Sequence, residues 1–331
     1  MPLVYSIGNP LIDYLCYVTD EDLKKLELNK GTMLLIDADK RAEILEYTRN
    51  RKISYSCGGS APNTMITLKM LGIDTILAGG LGNDEHGRMY KEKLEKTGVI
   101  DQTVLKDAVT GTSIILLTDD KERTMNTFLG ANRLFSESDV MEDSIDKADL
   151  FYFTGYMWDT KSQQNATRKT LDLCRAKGKK IAFDLADPFA VGRYRETFLK
   201  LASEYCDIVF ANSEEARFLL DNYDAYECCR SLGKLCPLAI IKNGKKGSFI
   251  SDNEKIYEIP LYGTSHPVDT TGAGDTYAAG FLYGFLNGYS TEISGRIASY
   301  LAGEIISQIG AQFSSDKIKE LKDYINNNIL K

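Results

Sequence analysis

The sequence predicts an α/β protein of three layers, a mostly parallel central sheet between helices, with a small β-sheet standing off it. Three observations carry this. Short apolar, β-branched runs alternate with helical stretches, the pattern of βαβ units. A glycine turn, DTTGAGD at 269–275, opens the apolar run TYAAGFLYGFLNG, which reads as a buried helix stopped by Asn287-Gly288. Two segments, approximately 11–36 and 112–130, break the alternation with strands where a helix would be due.

The elements follow in order. Leu3–Ile7 is a strand ending in GNPLID (8–13), and LIDYLCYVT (11–19) and TMLLI (32–36) read as inserted strands. The first helix is Ala61–Leu71, after SCGGSAPN (56–63). Strand Thr75–Ala78 leads through GGLGNDEHG (79–87), with Asn83 or Asp84 as N-cap, into helix Gly87–Thr97. Residues 112–130 read as a hairpin around Asp119-Asp120 that includes strand Ser113–Leu117. With the earlier insertion they are expected to form a protruding lid; edge strands of the main sheet are the alternative. Strands Leu150–Thr154, Lys180–Asp184, Ile208–Ala211, Leu238–Lys242 and Ser248–Ser251 then alternate with helices Lys161–Lys177, Arg193–Ser203, Glu214–Asp221 and Ala225–Leu235. Gly272–Leu286, Thr291–Ile309 and Asp316–Asn328 close the chain as helices.

The bulk properties exclude several classes. No apolar run reaches 18 residues, so no membrane-spanning helix is expected, and MPLVYSIGNP lacks the charged start of a secretory signal. A net charge of −7 argues against a nucleic-acid surface but not against a nucleotide site. The seven cysteines include no CxxC pair, so neither a disulfide framework nor a zinc site is expected, and a reducing cytoplasm is the expected location. With only His86 and His266 present, a carboxylate base is the natural expectation.

Five strings carry candidate chemistry. In DTTGAGD, Gly272 and Gly274 let the backbone approach a ligand, and a helix N-terminus aims N–H groups and partial positive charge at one spot. That spot suits a phosphate or developing anion. Asp275 in the first turn makes sense there as a base for an attacking hydroxyl; a simple helix cap is the plainer reading. In GNPLID, Asn9 and Asp13 are placed to bind sugar hydroxyls, although Asn, Pro and Asp also favour turns. In SCGGSAPN, Gly58 and Gly59 permit close approach and Asn63 lies one turn into the helix, with an N-cap at Ser60 as the alternative. In ANSEEA (211–216), Asn212 and Glu215 share a helix face and suit Mg²⁺ through water, or else form a cap. In IIKNGKKGS (240–248), Gly244, Gly247 and three lysines fit a loop over nucleotide phosphates or a solvated turn.

Together these strings resemble the ribokinase family of sugar and nucleoside kinases (phosphofructokinase-B type), from GNPLID to about QIGA at 308–311. ERTMNTFLGA (122–131) and GYMWD (155–159) are similar to its adenosine kinase branch. The resemblance implies a Rossmann-like, ribokinase-like fold in a single kinase domain spanning 1–331, with ATP as co-substrate, Mg²⁺, and in some members K⁺. It implies Asp275 as the base for a nucleoside 5′-hydroxyl, with the N–H groups of Gly272, Ala273 and Gly274 as anion hole. Asn9, Asp13, Gly59 and Asn63 would hold the ribose, and Leu34 and Tyr156 would wall the base. Arg123 would reach the γ-phosphate, and Lys242 and Gly244 would lie by the ATP phosphates. Ser299 would face the adenine, and Asp269 and Thr271 would hold a monovalent cation. Met33, Met125, Phe128 and Trp158 favour a stacked base over a bare sugar, or are ordinary core. A free sugar such as ribose or fructose as acceptor, and a catalytically silent nucleoside-binding protein, remain the alternatives. Family members occur as monomers and as homodimers.

Overall fold

A computed structural model describes residues 1–262 and 267–331; His266 lies outside the described residues. The strands in chain order are β1 (Leu3–Ile7), β2 (Leu11–Tyr17), β3 (Met33–Leu35), β4 (Ile53–Gly58), β5 (Asp74–Gly82), β6 (Ile100–Lys106) and β7 (Thr112–Leu117). They continue as β8 (Arg123–Phe128), β9 (Leu150–Thr154), β10 (Lys180–Asp184), β11 (Ile208–Asn212), β12 (Leu238–Lys242), β13 (Ser248–Asp252) and β14 (Lys255–Ile259). Nine form one sheet in the order β14-β13-β12-β11-β10-β9-β1-β5-β6. Strands β6 to β12 along that order pair in parallel, and β13 and β14 are added antiparallel at one end.

The period-2 alternation of the central strands places one apolar set on each face. Leu150, Tyr152, Ile208, Phe210 and Ile240 pack against helices Ser60–Leu71, Glu85–Thr97 and Ala273–Leu286. Phe151, Phe153, Phe183, Val209 and Ile241 pack on the other side against Lys161–Ala176, Pro188–Glu204, Ser213–Leu220 and Ala225–Leu232. The three-layer expectation is therefore met. In the second core, Phe153 stacks on Phe183 with ring centroids 4.6 Å apart, and Phe198 meets Phe183 edge-on at 5.1 Å. Phe183→Ala should lower unfolding stability by about 3–5 kcal/mol in denaturant melts, since a fully buried ring leaves a void.

The remaining strands form a separate sheet, β3-β8-β7-β2-β4, so the inserted segments are not edges of the large sheet. The sequence reading missed β4, its fifth strand, as well as β6 and β14. All three carry exposed or polar residues and lie at sheet edges, where burial does not demand an apolar pattern. Helix Asp20–Lys25 and helix Ala38–Thr48 were missed too; the first starts from a capping box of Thr19 with Asp22. GGLG at 79–82 continues β5 rather than turning, and Asp84 is the N-cap that follows. The small sheet joins the rest of the molecule through four short junctions: residues 8–10 into β2, residue 59 out of β4, residues 107–111 into β7, and residue 129 out of β8. By register (Leu11 opposite Gly58, Ile12 opposite Thr112, Thr112 opposite Phe128), all four lie at one end of it.

Candidate active site

Helix Ala273–Leu286 begins beside the C-terminal ends of the parallel strands, the side on which open α/β sheets bind ligands. Its cap residue, Gly272, has φ +73°, and a Cβ there would lie 2.5 Å from that of Ala311, so the turn requires glycine. The Ala273 N–H closes this turn on Thr270 O at 3.3 Å.

Asp275 follows in the first turn. Its Oδ1 accepts from Ser60 Oγ at 2.6 Å and its Oδ2 from Asn63 Nδ2 at 3.0 Å. Burial pushes its pKa up, opposed by these two donors, to about 6. Gln312, from the segment between helices Thr291–Ile305 and Ser315–Tyr324, donates to Asn63 Oδ1 at 3.0 Å and orients its amide toward Asp275. Thr64 ties the backbone below, donating to Asp275 O at 3.3 Å.

Two cavities meet at this carboxylate. The larger, about 650 Å³, is lined by Asn212, Glu215, Lys242, Gly244, Gly247 and Ser299 together with Gly272, Ala273 and Gly274. The smaller, about 310 Å³, lies under the small sheet and is lined by Asn9, Asp13, Gly59, Asn63, Thr271, Tyr156, Met33 and Met125, among others. Ser60, Ala186, Thr270, Gly272 and Asp275 line both.

In the smaller cavity the Asp13 carboxylate rises from β2 opposite β4. Gly58 is the clearance for it: a Cβ there would fall 2.1 Å from Asp13 Oδ2. Burial pushes the Asp13 pKa up to about 7, with Arg123 opposing and Asp275 reinforcing the rise. Asn9 Oδ1 accepts from Gln163 Nε2 at 2.6 Å, which fixes the amide so that its NH₂ is the end left to the cavity. Tyr156 holds its ring by donating to Ala186 O at 3.2 Å.

In the larger cavity Lys242 Nζ lies 3.0 Å from Asp184 Oδ2, and a Cβ on Gly274 would be 3.3 Å from it, so the ammonium sits at the glycine turn. Burial works against its charge, but Asp184 and Glu215 outweigh burial and hold its pKa above the ordinary value. Asn212 and Glu215 form a capping box, with Glu215 N donating to Asn212 Oδ1 at 2.8 Å and Asn212 N to Glu215 Oε2 at 2.7 Å. Each Glu215 oxygen keeps a lone pair, so cap and cavity roles coexist. Burial, opposed by Lys242, raises the Glu215 pKa. Among the described residues no cluster of three or more His, Cys, Asp or Glu is arranged to hold a metal. Asp184 and Glu215 line the cavity along with Glu214 and Asp275, a donor set that fits a hydrated Mg²⁺ carried on phosphates rather than a caged ion.

Several sequence expectations need correction. Leu34 lines neither cavity; in a strand alternate residues share a face, and here Met33 and Leu35 are the ones that line the smaller cavity, although Leu35 is itself largely exposed. Arg123 lines the smaller, acceptor-side cavity as expected of a substrate-binding residue, but it does not line the larger one where ATP phosphates would lie, and it pairs with Asp269 at 2.6 Å. Asp269 is thereby used up, since Oδ1 also takes the Thr271 N–H and hydroxyl and Oδ2 the Gly310 N–H. Burial disfavours its charge, yet those donors and Arg123 hold its pKa below the usual range. With Arg123 in place, the Asp269 carboxylate itself is not free to take a monovalent cation. Ser299 lines the larger cavity, with its hydroxyl committed to Pro260 O at 2.8 Å and to the Tyr262 N–H at 3.1 Å. Gly247 also serves a turn, with φ +83° against Ile259 O. Trp158 and Phe128 line neither cavity: Trp158 belongs to the second core, and Phe128 lies under Arg41. Sequence reasoning missed Asp184 and Gln312 and gave Ser60 only as an N-cap, a place that Gly59 takes while Ser60 Oγ donates to Asp275; a carboxylate closing a predicted strand was the available signal for Asp184.

The pfkB family carbohydrate kinase pattern matches residues 31–318. The chain is 28% identical over 339 residues to the adenosine kinase of Dictyostelium discoideum, covering 96% of this chain and 98% of that protein. The solved adenosine kinase of Sinorhizobium meliloti superposes with a TM-score of 0.88 at 35% identity, covering 96% of this chain and 98% of the other. A probable sugar kinase from Rhizobium etli CFN 42 superposes at 0.89 with 34% identity, covering 96% and 97%. The chain belongs to the pfkB family of carbohydrate kinases and is a phosphotransferase of ribokinase-like fold. Within that family it is adenosine kinase-like, a kinase of nucleoside or sugar acceptors whose membership implies ATP as co-substrate. Among the described residues no helix is long and apolar enough to cross a membrane.

Proposed function

We propose that the protein transfers the γ-phosphoryl group of ATP to the primary hydroxyl of a nucleoside, adenosine to AMP, with Asp275 as base. The observation that carries this reading is the position of Asp275 at the meeting of two cavities, one fit for a nucleotide and one for a small acceptor. Polar Asn9, Asp13 and Asn63 offer donors and acceptors to ribose hydroxyls, while Met33, Met125 and Tyr156 offer an apolar wall to a base.

In this mechanism the acceptor hydroxyl gives its proton to Asp275 as its oxygen bonds the γ-phosphorus and the bond to ADP breaks. N–H groups of the glycine turn and Lys242 meet the charge developing on the migrating group. Mg²⁺, held through water by Glu215 and Asp184 when ATP is bound, would neutralise phosphate charge. The small sheet, roofing the acceptor cavity, acts as a lid that excludes water. Arg123 reaches phosphate only by leaving Asp269.

The base must be ionised, so activity is lost as pH falls through its pKa and is held above it. Ionised Asp275 is needed as the base and ionised Asp13 as an acceptor for the substrate hydroxyls, so either group can set the acid limb. A kcat/KM profile should fall below a midpoint in the range set by about 6 for Asp275 and about 7 for Asp13. A limb near pH 4, the region of an ordinary carboxylate, would count against either residue.

ADP release measured across adenosine, inosine, ribose and fructose tests the reading. Turnover of fructose and none of adenosine would overturn it in favour of a sugar acceptor, the reading that the similarity to a probable sugar kinase favours.

A further inference from the structure

We propose that Gln312 is a positioning residue for phosphoryl transfer, holding the base in place through Asn63. This rests on the reading of Asp275 as that base. Gln312 Nε2 donates in two directions, to Asn63 Oδ1 at 3.0 Å and to Cys57 O of β4 at 2.9 Å. Asn63 Nδ2 in turn donates to Asp275 Oδ2 at 3.0 Å. A chain of two amides thus runs from the small sheet to the carboxylate. The neighbours of Gln312 in sequence serve the same site. The Gly310 N–H donates to Asp269 Oδ2 at 2.9 Å, and Ala311 lies against Gly272, the cap of the glycine turn.

The two ends of this chain fix its direction. A backbone carbonyl and an ionised carboxylate only accept, so each must face an NH₂ group. A flipped Asn63 would set its oxygen against the carboxylate and its NH₂ against that of Gln312. Gln312 therefore uses both of its N–H groups, while Asn63 keeps one for the smaller cavity, which it lines. Asn63 is only 4% exposed, and Gln312 is the one partner of its Oδ1 among the described residues. Without that donor the oxygen is orphaned in a buried place, a cost that favours re-aiming the side chain. The Asp275 carboxylate is then held by Ser60 Oγ alone and can turn away from the acceptor hydroxyl.

The test is a double-mutant cycle with Gln312→Met, which keeps the length of the side chain and removes its donors. At saturating ATP and acceptor, kcat should fall about tenfold, the scale of a reacting group displaced by a fraction of an ångström. In an Asp275→Asn background the same change should cost less than about twofold, because no base is left to hold. A role confined to the fold would cost the same in both backgrounds. A kcat within about twofold of the unaltered protein, or an equal loss in the two backgrounds, would overturn the assignment. Should Gln312→Met not fold, Gln312→Glu, of the same shape and without a donor when ionised, is read in the same way. Near-normal kcat in Asp275→Asn alone removes the reading of the base itself, an outcome distinct from a fully active Gln312 variant beside an impaired Asp275→Asn.

Discussion

Asp275→Asn should lower kcat by about a hundredfold or more while leaving KM for the acceptor nearly unchanged, as befits a positioned base. The amide keeps the shape of the side chain and can still accept from Ser60 Oγ, now 2.6 Å from Oδ1. It cannot take a proton from an alcohol. Asn63 Nδ2, at 3.0 Å from Oδ2, would face an NH₂ unless the new amide turns its oxygen that way. The effect should therefore appear in single-turnover chemistry and not in acceptor binding. A variant with near-normal kcat would place the base elsewhere and remove the argument from the meeting of the two cavities.

Asp13→Ala should act oppositely, raising KM for the acceptor by about 10- to 100-fold with a smaller change in kcat. The carboxylate lines the acceptor cavity under the small sheet, and Gly58 leaves it room that no other residue would. Steady-state kinetics with adenosine and with ribose would check this. An unchanged KM would mean that the acceptor's hydroxyls lie elsewhere. Arg123, whose charge opposes the raised Asp13 pKa, keeps its other partner, Asp269, in the variant. Loss of folding is therefore not the expected outcome.

Much of this arrangement was legible in the chain itself. Central strands such as Leu150–Thr154 and Lys180–Asp184 are buried on both faces, and burial forces an apolar run that can be read directly. The glycine turn at 272–274 announced a helix start because nothing else permits that backbone. Edge strands β4, β6 and β14 gave no such signal. Leu34 shows a different limit: its type suited a base pocket, but only the register of a three-residue strand decides which of Met33, Leu34 and Leu35 turns inward. Ion pairs between distant segments were invisible as well. Arg123 and Asp269 each had a plausible ligand, and the sequence gives no hint that they satisfy one another. Asp184 went unnoticed because it became interesting only beside its cation, Lys242.

The four junctions of the small sheet have a mechanical consequence. Because they stand in a row at one end, the sheet is hung like a door, and any displacement relative to the large sheet is a swing about that line of hinges. Arg123, opposite Leu117, sits at the end away from the hinges, and its ion pair with Asp269 acts there as a latch. Leverage is greatest at that point, so this pair resists such a swing more than contacts nearer the hinges, such as Gln312 Nε2 donating to Cys57 O, can do.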